Sequence, residues 1–418
     1  MTRSLHLALD LGTTTLAGRL LDGQGQVLAE GKVANPQRAL GADIVRRLEA
    51  ALAGEGERLQ ALLVEGINAL LDELLHAAGA GRAALTAAAA AANPGVTALL
   101  AGDDLRPILF PPHRPRNLSL RILDLPALQL PVPLTLFPLL SGYVGGDLVA
   151  CLYGLDSLPP FQGEGRGGDG RTILVIDLGT NGEIALGGQG GWLATSVPAG
   201  PAFEGGEISC GQLATQGAIS NVSRSGDRLQ LEVIGNGAPT GLAGSGLFAV
   251  IAVAIDSGLI DRSGRIVSPA EVDSNLSRYL RPDGQAQALC LYRDARREIV
   301  VTQGDIRAFQ LAKGAVRAGI DALLARADIA VTAVEQVIVT GAFGLSLNRQ
   351  SLKSVAILPA VMVEKALFIP GGALAGVQRF LLQSEGAAQL QALTAKMRSY
   401  PLSGTPAFER AFLAALDF

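Results

Sequence analysis

Cysteine and histidine are scarce in this chain, with three of each in 418 residues. Cys151, Cys210 and Cys290 lie far apart and form no C-x-x-C pair, so neither a disulfide framework nor a zinc knuckle is expected. Three thiols cannot supply four thiolates, so no iron–sulfur cluster is expected in this chain either. His6, His76 and His113 are equally scattered and suggest no metal site. Aromatic residues make up only 4%, so Leu, Val, Ile and Ala must build the core. A basic footprint is missing too: the net charge is −4, which argues against nucleic-acid binding. No uncharged run suits a membrane. Residues 125–146 are interrupted by Pro126, Pro131, Pro133 and Pro138, and residues 83–102 are broken by Asn93-Pro94-Gly95. The N-terminal apolar stretch is short and alternating, unlike a signal peptide. A cytoplasmic protein that binds no membrane is the expectation. The chain also lacks G-x-x-x-x-G-K-[ST], so any phosphate site is not a P-loop.

What is present is a well-packed composition, 49% hydrophobic and 17% charged, with 52 glycines for tight turns. The length calls for two or more lobes. The tetrapeptide Asp-Leu-Gly-Thr occurs twice, at 10–13 and 177–180, each time after an apolar run. Periodicity predicts strands at 5–10, 14–22 and 27–34, then amphipathic helices over 41–53 and 57–78. Eight prolines between 105 and 138 favour extended segments and turns. Residues 141–153 read as helix. In the second half a strand at 172–178 turns through Asn181-Gly182 into 183–186. Helices follow Gly244-Ser245-Gly246 and an N-cap expected at Asp305, the latter running to Arg326. A strand at 336–340 ends on Gly341-Ala342-Phe343-Gly344, and Gly371-Gly372 opens another helix. The expected division is a first lobe over 1–158, a flexible connector over 159–171, a second lobe over 172–384, and a helical tail over 385–418. Phe408, Phe412 and Phe418 should dock that tail on the body. The connector's Gly163, Gly165 and Gly168 match a dinucleotide spacing, but no strand precedes them and no helix follows.

The residues after each aspartate are small hydrogen-bond donors. Glycine permits a tight turn and close approach of a ligand, and successive N–H groups in such a turn form an anion-binding nest. An aspartate there would repel phosphate unless Mg²⁺ lay between them, held by the carboxylate through water. A polar-tipped strand–turn–strand is the plain alternative for one copy. Two copies after buried strands, with a glycine turn after a third, favour phosphate binding.

This pattern resembles the ASKHA superfamily of actin, sugar kinases, actin-like chaperones and acetate kinase. The resemblance implies an α/β fold of two duplicated actin-like (RNase H-like) lobes around a nucleotide cleft. It implies a first phosphate loop of Asp10 with Gly12, Thr13, Thr14 and Thr15, and a second of Asp177 with Gly179, Thr180 and Asn181. Asp10 and Asp177 would hold Mg²⁺ and orient the attacking water, and Asp147 would polarise it. Gly341, Ala342, Phe343 and Gly344 would pass the adenosine. Gly244 and Ser245 join the nucleotide-binding set, with Glu204 and Glu183 as further carboxylate candidates. Residues 145–153 and 372–376 resemble the two connecting helices.

A narrower likeness rests on VGGDLVACLYG, AGPAFEGGEISCG, GLAGSGLF, AKGAVRAGIDALL, VTGAFGLSLN and GGALAG, which occur in that order. Together they resemble the C-terminal ASKHA region of the reductive activators of corrinoid proteins, over nearly the whole chain. That family uses ATP to drive an electron onto an inactivated Co(II) corrinoid. The resemblance implies ATP and Mg²⁺ as cofactors and a corrinoid protein as partner. Family members carry an N-terminal ferredoxin-like domain, whereas this sequence begins almost at the first loop, so a separate low-potential electron donor is expected. A homodimer is compatible with this reading. "AANPGVTALLAG" stands where a Gly-Asn start is expected. Competing readings are an activator of a 2-hydroxyacyl-CoA dehydratase, a small-molecule kinase and a nucleotide-sensing scaffold. The first would need a cluster-ligating cysteine near Gly241-Leu242-Ala243, where there is none.

Overall fold

The computed structural model describes residues 4–155, 171–188, 190–341, 347–402 and 404–418. In chain order the first half holds strands β1 (Leu5–Leu11), β2 (Thr15–Asp22), β3 (Val27–Ala34), β4 (Leu85–Ala92), β5 (Arg121–Leu123) and β6 (Leu134–Leu136). Its helices are α1 (Ile44–Ala50), α2 (Gly56–Ala78), α3 (Pro94–Ala101), α4 (Arg106–Leu109) and α5 (Gly146–Gly154). The second half holds β7 (Ile173–Leu178), β8 (Gly182–Gly188), β9 (Gly191–Val197), β10 (Ala218–Ser225), β11 (Arg228–Val233) and β12 (Gly241–Leu242). Then come α6 (Gly244–Asp256), β13 (Leu280–Asp283), β14 (Ala286–Arg293), β15 (Glu298–Val301), α7 (Gln303–Ala327) and β16 (Gln336–Gly341). The chain finishes with α8 (Arg349–Ser354), α9 (Ala360–Val363), β17 (Ala366–Phe368), α10 (Gly372–Leu382), α11 (Gly386–Ala395), β18 (Met397–Ser399) and α12 (Pro406–Ala414).

Two six-stranded sheets have the orders β3-β2-β1-β4-β6-β5 and β17-β16-β7-β8-β9-β18. Read from β9, the second repeats the first: three consecutive strands, then two more reached by crossover. In both sheets the strand carrying Asp-Leu-Gly-Thr pairs in parallel with the next, β1 with β4 and β7 with β16. The duplication expected from the repeated tetrapeptide is therefore a duplication of topology. Two three-stranded sheets, β11-β10-β12 and β13-β14-β15, are additions to the second half.

By internal contacts the chain forms two compact units. One comprises 1–171, 187–195 and 371–401; the other comprises 172–186, 196–370 and 402–418. The expected colinear division at 384 differs from this, because α10 belongs with α5. Within the first unit these helices cross at glycines: a Cβ on Gly376 would overlap the Ala150 carbonyl, and one on Gly154 would lie 2.9 Å from Gly376 N. The Arg379 guanidinium stacks 4.6 Å from the Tyr153 ring centre and donates to the Tyr153 carbonyl. The core of this unit sets Leu5, Leu7, Leu9 and Leu11 of β1 against Leu63, Ile67, Leu70, Leu71 and Leu74 of α2. One heptad-like stripe of α2 thus covers one face of the sheet.

In the second unit Phe203, Phe248 and Phe309 form an aromatic cluster, with ring centres 4.8–5.6 Å apart. Phe418 packs on its edge, 6.2 Å from Phe309. The mostly helical tail expected over 385–418 is divided: residues 385–401, including the unforeseen strand β18, belong to the first unit, and 402–418 belong to the second. Three helix starts also differ from expectation: α1, expected from 41, begins at Ile44 after its N-cap Asp43. The helix expected from 141 begins at Gly146, after a glycine-rich turn. The N-cap of α7 is Thr302, and Asp305 is the N3 partner of its capping box. Of the expected connector, only Arg171 lies within the described residues.

Candidate functional site

In the first unit, Asp10 occupies the carboxyl end of β1, flanked by Ala17 of β2 and Ala91 of β4. Carboxyl ends of parallel strands are where open α/β sheets place ligands. The chain then turns sharply: the Gly12 N–H donates to the Thr15 carbonyl at 3.0 Å. The loop's carbonyls are drawn back into the protein. Gly12 O accepts from Asn35 Nδ2 at 2.9 Å, Thr13 O from Arg47 Nη1 at 2.7 Å, and Thr14 O from Asn35 N at 2.8 Å. A loop whose carbonyls are held on one side leaves its N–H side for an anion.

Thr13 is also held by its side chain. Asn93 Nδ2 donates to Thr13 Oγ1 at 2.9 Å, so the hydroxyl accepts there and keeps its own proton for another acceptor. Asn93 also caps α3, its Oδ1 accepting from Val96 N at 2.9 Å. The Asn-Pro-Gly that stood in place of the expected Gly-Asn is thus a working part of the first loop. Asp147 lies in the first turn of α5, where its Oδ1 accepts from Leu148 N at 2.8 Å. A Cβ on Gly145, just before it, would lie 2.6 Å from Asn93 Cα. The structure therefore gathers Asp10, Gly12–Thr15, Asn93 and Asp147 at the ends of β1 and β4.

In the second unit, Asp177 lies in the same place on β7 and pairs with Thr340 of β16. The turn is closed by Gly179 N–H to Asn181 O at 3.1 Å. Gly341 follows Thr340 at a φ of 121°, and a Cβ there would overlap the Leu178 carbonyl and lie 3.1 Å from Asp177 Oδ1. Only glycine lets the two strand ends approach so closely. Thr180 Oγ1 donates to Glu204 Oε2, a short hydrogen bond to a carboxylate. Glu204 ends a short 3-10 turn over Pro201–Glu204. Gly244 at the start of α6 abuts that turn, where a Cβ would overlap the Phe203 carbonyl. Ser245 is buried and donates to Ser220 O at 2.8 Å, and Glu183 accepts from Ser196 Oγ at 3.2 Å. Ala342, Phe343 and Gly344 lie outside the described residues.

Sequence reasoning missed Asn35, Arg47 and Asn93. Each acts on residues 23, 34 and 80 positions away, so local pattern carries no trace of the contact. Burial pushes the Arg47 guanidinium down to about 10, partly offset by Asp43, so it remains charged at neutral pH. The Cys210 thiol is pushed up to about 12 by burial and by Asp305, and stays protonated. All three cysteines are free thiols.

Two sheets sharing a five-strand order, each with Asp-Leu-Gly-Thr at the end of its first strand in the chain, define the fold class as α/β of the ASKHA type. The chain belongs to the RACo family: residues 5–156 match the RACo middle region, and 171–418 match the C-terminal domain of RACo, the ASKHA domain. It is 29% identical over 440 residues to the corrinoid activation enzyme RamQ of Eubacterium limosum, covering 97% of this chain and 69% of that one. A [Co(II) methylated amine-specific corrinoid protein] reductase of Methanosarcina barkeri is 25% identical over 244 residues, covering 53% of this chain and 39% of that one. Among solved structures, a reductive activator for corrinoid, iron-sulfur protein aligns over 100% of this chain and 66% of its own, at 29% identity and a TM-score of 0.89. Nearly all of this chain is matched in RamQ and in the reductive activator, yet it spans only about two thirds of their length. No helix among the described residues is long and apolar enough to cross a membrane.

Proposed function

We propose that this chain binds and hydrolyses Mg-ATP and couples that to the reductive reactivation of a corrinoid protein. The observation that carries the proposal is the first loop. Its three successive carbonyls are drawn back onto Asn35 and Arg47, and its threonine hydroxyl is oriented by Asn93. The naming of the matched relatives for corrinoid activation supports the choice of partner.

The donor set fits Mg²⁺ carried by a nucleotide. Magnesium keeps several waters and takes one or two carboxylates plus phosphate oxygens. Each loop offers one aspartate, Asp10 and Asp177, and no group of three or more His, Cys, Asp or Glu able to hold a metal occurs among the described residues. When bound, Mg²⁺ would neutralise phosphate charge. Gly12–Thr15 and Gly179–Asn181 would bind the phosphates, with Glu204 fixing Thr180. Gly244, Ser245 and Gly341–Gly344 would shape the nucleoside side. Asp10 and Asp177 would orient the attacking water, and Asp147 would polarise it. The electron would come from a low-potential donor, and the setting would be the cytoplasm.

The test combines two readouts. Asp177→Ala should lower ATP turnover by about 100-fold or more, as loss of a central electrostatic group does, with circular dichroism unchanged. With a chemical low-potential reductant, the wild type should convert a Co(II) corrinoid protein to Co(I), followed by visible absorption, only when ATP is present. Unchanged hydrolysis in the variant, or reduction independent of ATP, contradicts the proposal.

A further inference from the structure

Arg47 is fully buried, at 0% exposure, yet among the described residues it has no carboxylate partner within salt-bridge distance. Its Nε donates to Gly41 O at 2.8 Å, and its Nη1 to Thr13 O at 2.7 Å and Gln37 Oε1 at 3.4 Å. Its Nη2 is buried with no hydrogen-bond partner at all. Asp43, whose carboxylate pairs with Arg46, offsets this burial only in part, and a buried charge without a close counter-ion is strongly unfavourable. Besides the Gly41 turn that precedes its own helix, this guanidinium touches the candidate phosphate loop.

The setting is built for that purpose. Arg47 rides on α1, whose Ile44 presses on the turn carrying Asn93: a Cβ on Gly95 would overlap Ile44. Thr13 is consequently held by its carbonyl from α1 and by its hydroxyl from the α3 cap. The whole bracket is neutral apart from the arginine, since Asn35, Gln37 and Asn93 are amides.

We propose that Arg47 is the fixed counter-charge of the first loop: a positioning residue that makes the Gly12–Thr15 turn attractive to a phosphoryl group despite the nearby Asp10. This rests on the Mg-ATP reading above and names a residue outside the expected site. Arg47 acts through the Thr13 peptide, whose dipole it polarises toward the ligand side, and its own charge is offset when the anion binds. The partner chemistry is a polyphosphate, not the nucleoside.

The test separates charge from bracing. Arg47→Gln places a neutral amide donor where Nε stands, against the Gly41 carbonyl, and removes both the charge and the bond to Thr13. Arg47→Lys keeps the charge and loses the fork. Affinity for Mg-ATP is measured by titration calorimetry, and that for adenosine by saturation-transfer NMR, on the full chain. Charge-assisted hydrogen bonding implies about 30-fold weaker Mg-ATP binding for Arg47→Gln and no more than about tenfold for Arg47→Lys, with adenosine affinity unchanged in both. Equal Mg-ATP affinity in Arg47→Gln and wild type overturns the counter-charge role and leaves the nucleotide reading standing. Parallel loss of Mg-ATP and adenosine affinity overturns it in favour of a purely structural arginine. If the glutamine chain fails to fold, an Arg47→Lys chain that binds Mg-ATP more than about 100-fold more weakly than wild type, with adenosine retained, contradicts the charge argument by itself. Absence of Mg-ATP binding by folded wild type defeats the nucleotide reading and this inference together.

Discussion

Thr13 and Thr180 hold matching places after the two aspartates, but their hydroxyls do opposite things. Thr13 accepts from Asn93 and keeps its proton, whereas Thr180 gives its proton to Glu204. The first can donate to a phosphate oxygen. Asn93 performs two tasks that substitution can separate. Asn93→Asp keeps an acceptor for Val96 N and removes the donor to Thr13. It should leave urea stability within about 0.5 kcal/mol while weakening Mg-ATP binding about tenfold. Asn93→Ala should lose both, with about 1 kcal/mol of stability. Equal stability of the two variants would contradict the cap, and undiminished binding by the aspartate variant would contradict the donor. Asp10, Asp177 and the glycines beside them were legible in the sequence, because the loop signals its own chemistry. Asn93, Asn35 and Arg47 were not, because an amide or a guanidinium reveals its role only through the partner that folding brings to it.

At the scale of elements, strand β4 is the instructive miss. Its sequence LTAAAAAA is rich in a helix-former and poor in strand-formers. Yet it pairs with both β1 and β6 in the first sheet. Tertiary context overrides propensity here: α5 and α10 pack over this part of the sheet, and methyl side chains let them come close. The same demand for closeness sets the crossing of α5 and α10. Gly376→Ala would force a methyl into the Ala150 carbonyl and should destabilise the chain by about 3 kcal/mol, measured by urea denaturation. A loss under about 0.5 kcal/mol would show that the helices separate freely. Elements whose pattern is local, such as β1–β3, α2, α6 and β16, fell close to where periodicity placed them. The N-cap of α7 lies three residues before the expected one, because Thr302 and Asp305 both belong to one capping box and the acidic member is the more visible in sequence.

At the scale of the whole molecule, the repeated tetrapeptide disclosed a duplicated fold, but not how the chain is shared between its compact units. Residues 371–401 follow the second loop in sequence and belong to the first unit in space. No composition shift marks that return. The tail is also held by a titratable anchor on α7, within the second unit. Lys313 is buried, donates to the Asp417 carbonyl and lies 5.0 Å from the centre of the Phe418 ring. Burial, with the charge of Arg317 adding to it, lowers its ammonium from 10.5 to about 8. The unfolded chain therefore holds that proton more tightly between about pH 8 and 10.5. The destabilisation is complete below pH 8 and fades as pH rises through this window. Stability of the wild type relative to Lys313→Met should accordingly increase from pH 7.5 to 10 in urea titrations; a flat or falling difference would contradict the lowered ammonium.

The central claim is that the two Asp-Leu-Gly-Thr loops serve Mg-ATP, and titration calorimetry of Mg-ATP into the wild type and Asp10→Ala tests it most directly. The account predicts saturable binding by the wild type that falls at least about 30-fold in the variant, equivalent to about 2 kcal/mol. Absence of binding by folded wild type, or equal affinity in the two chains, would contradict it.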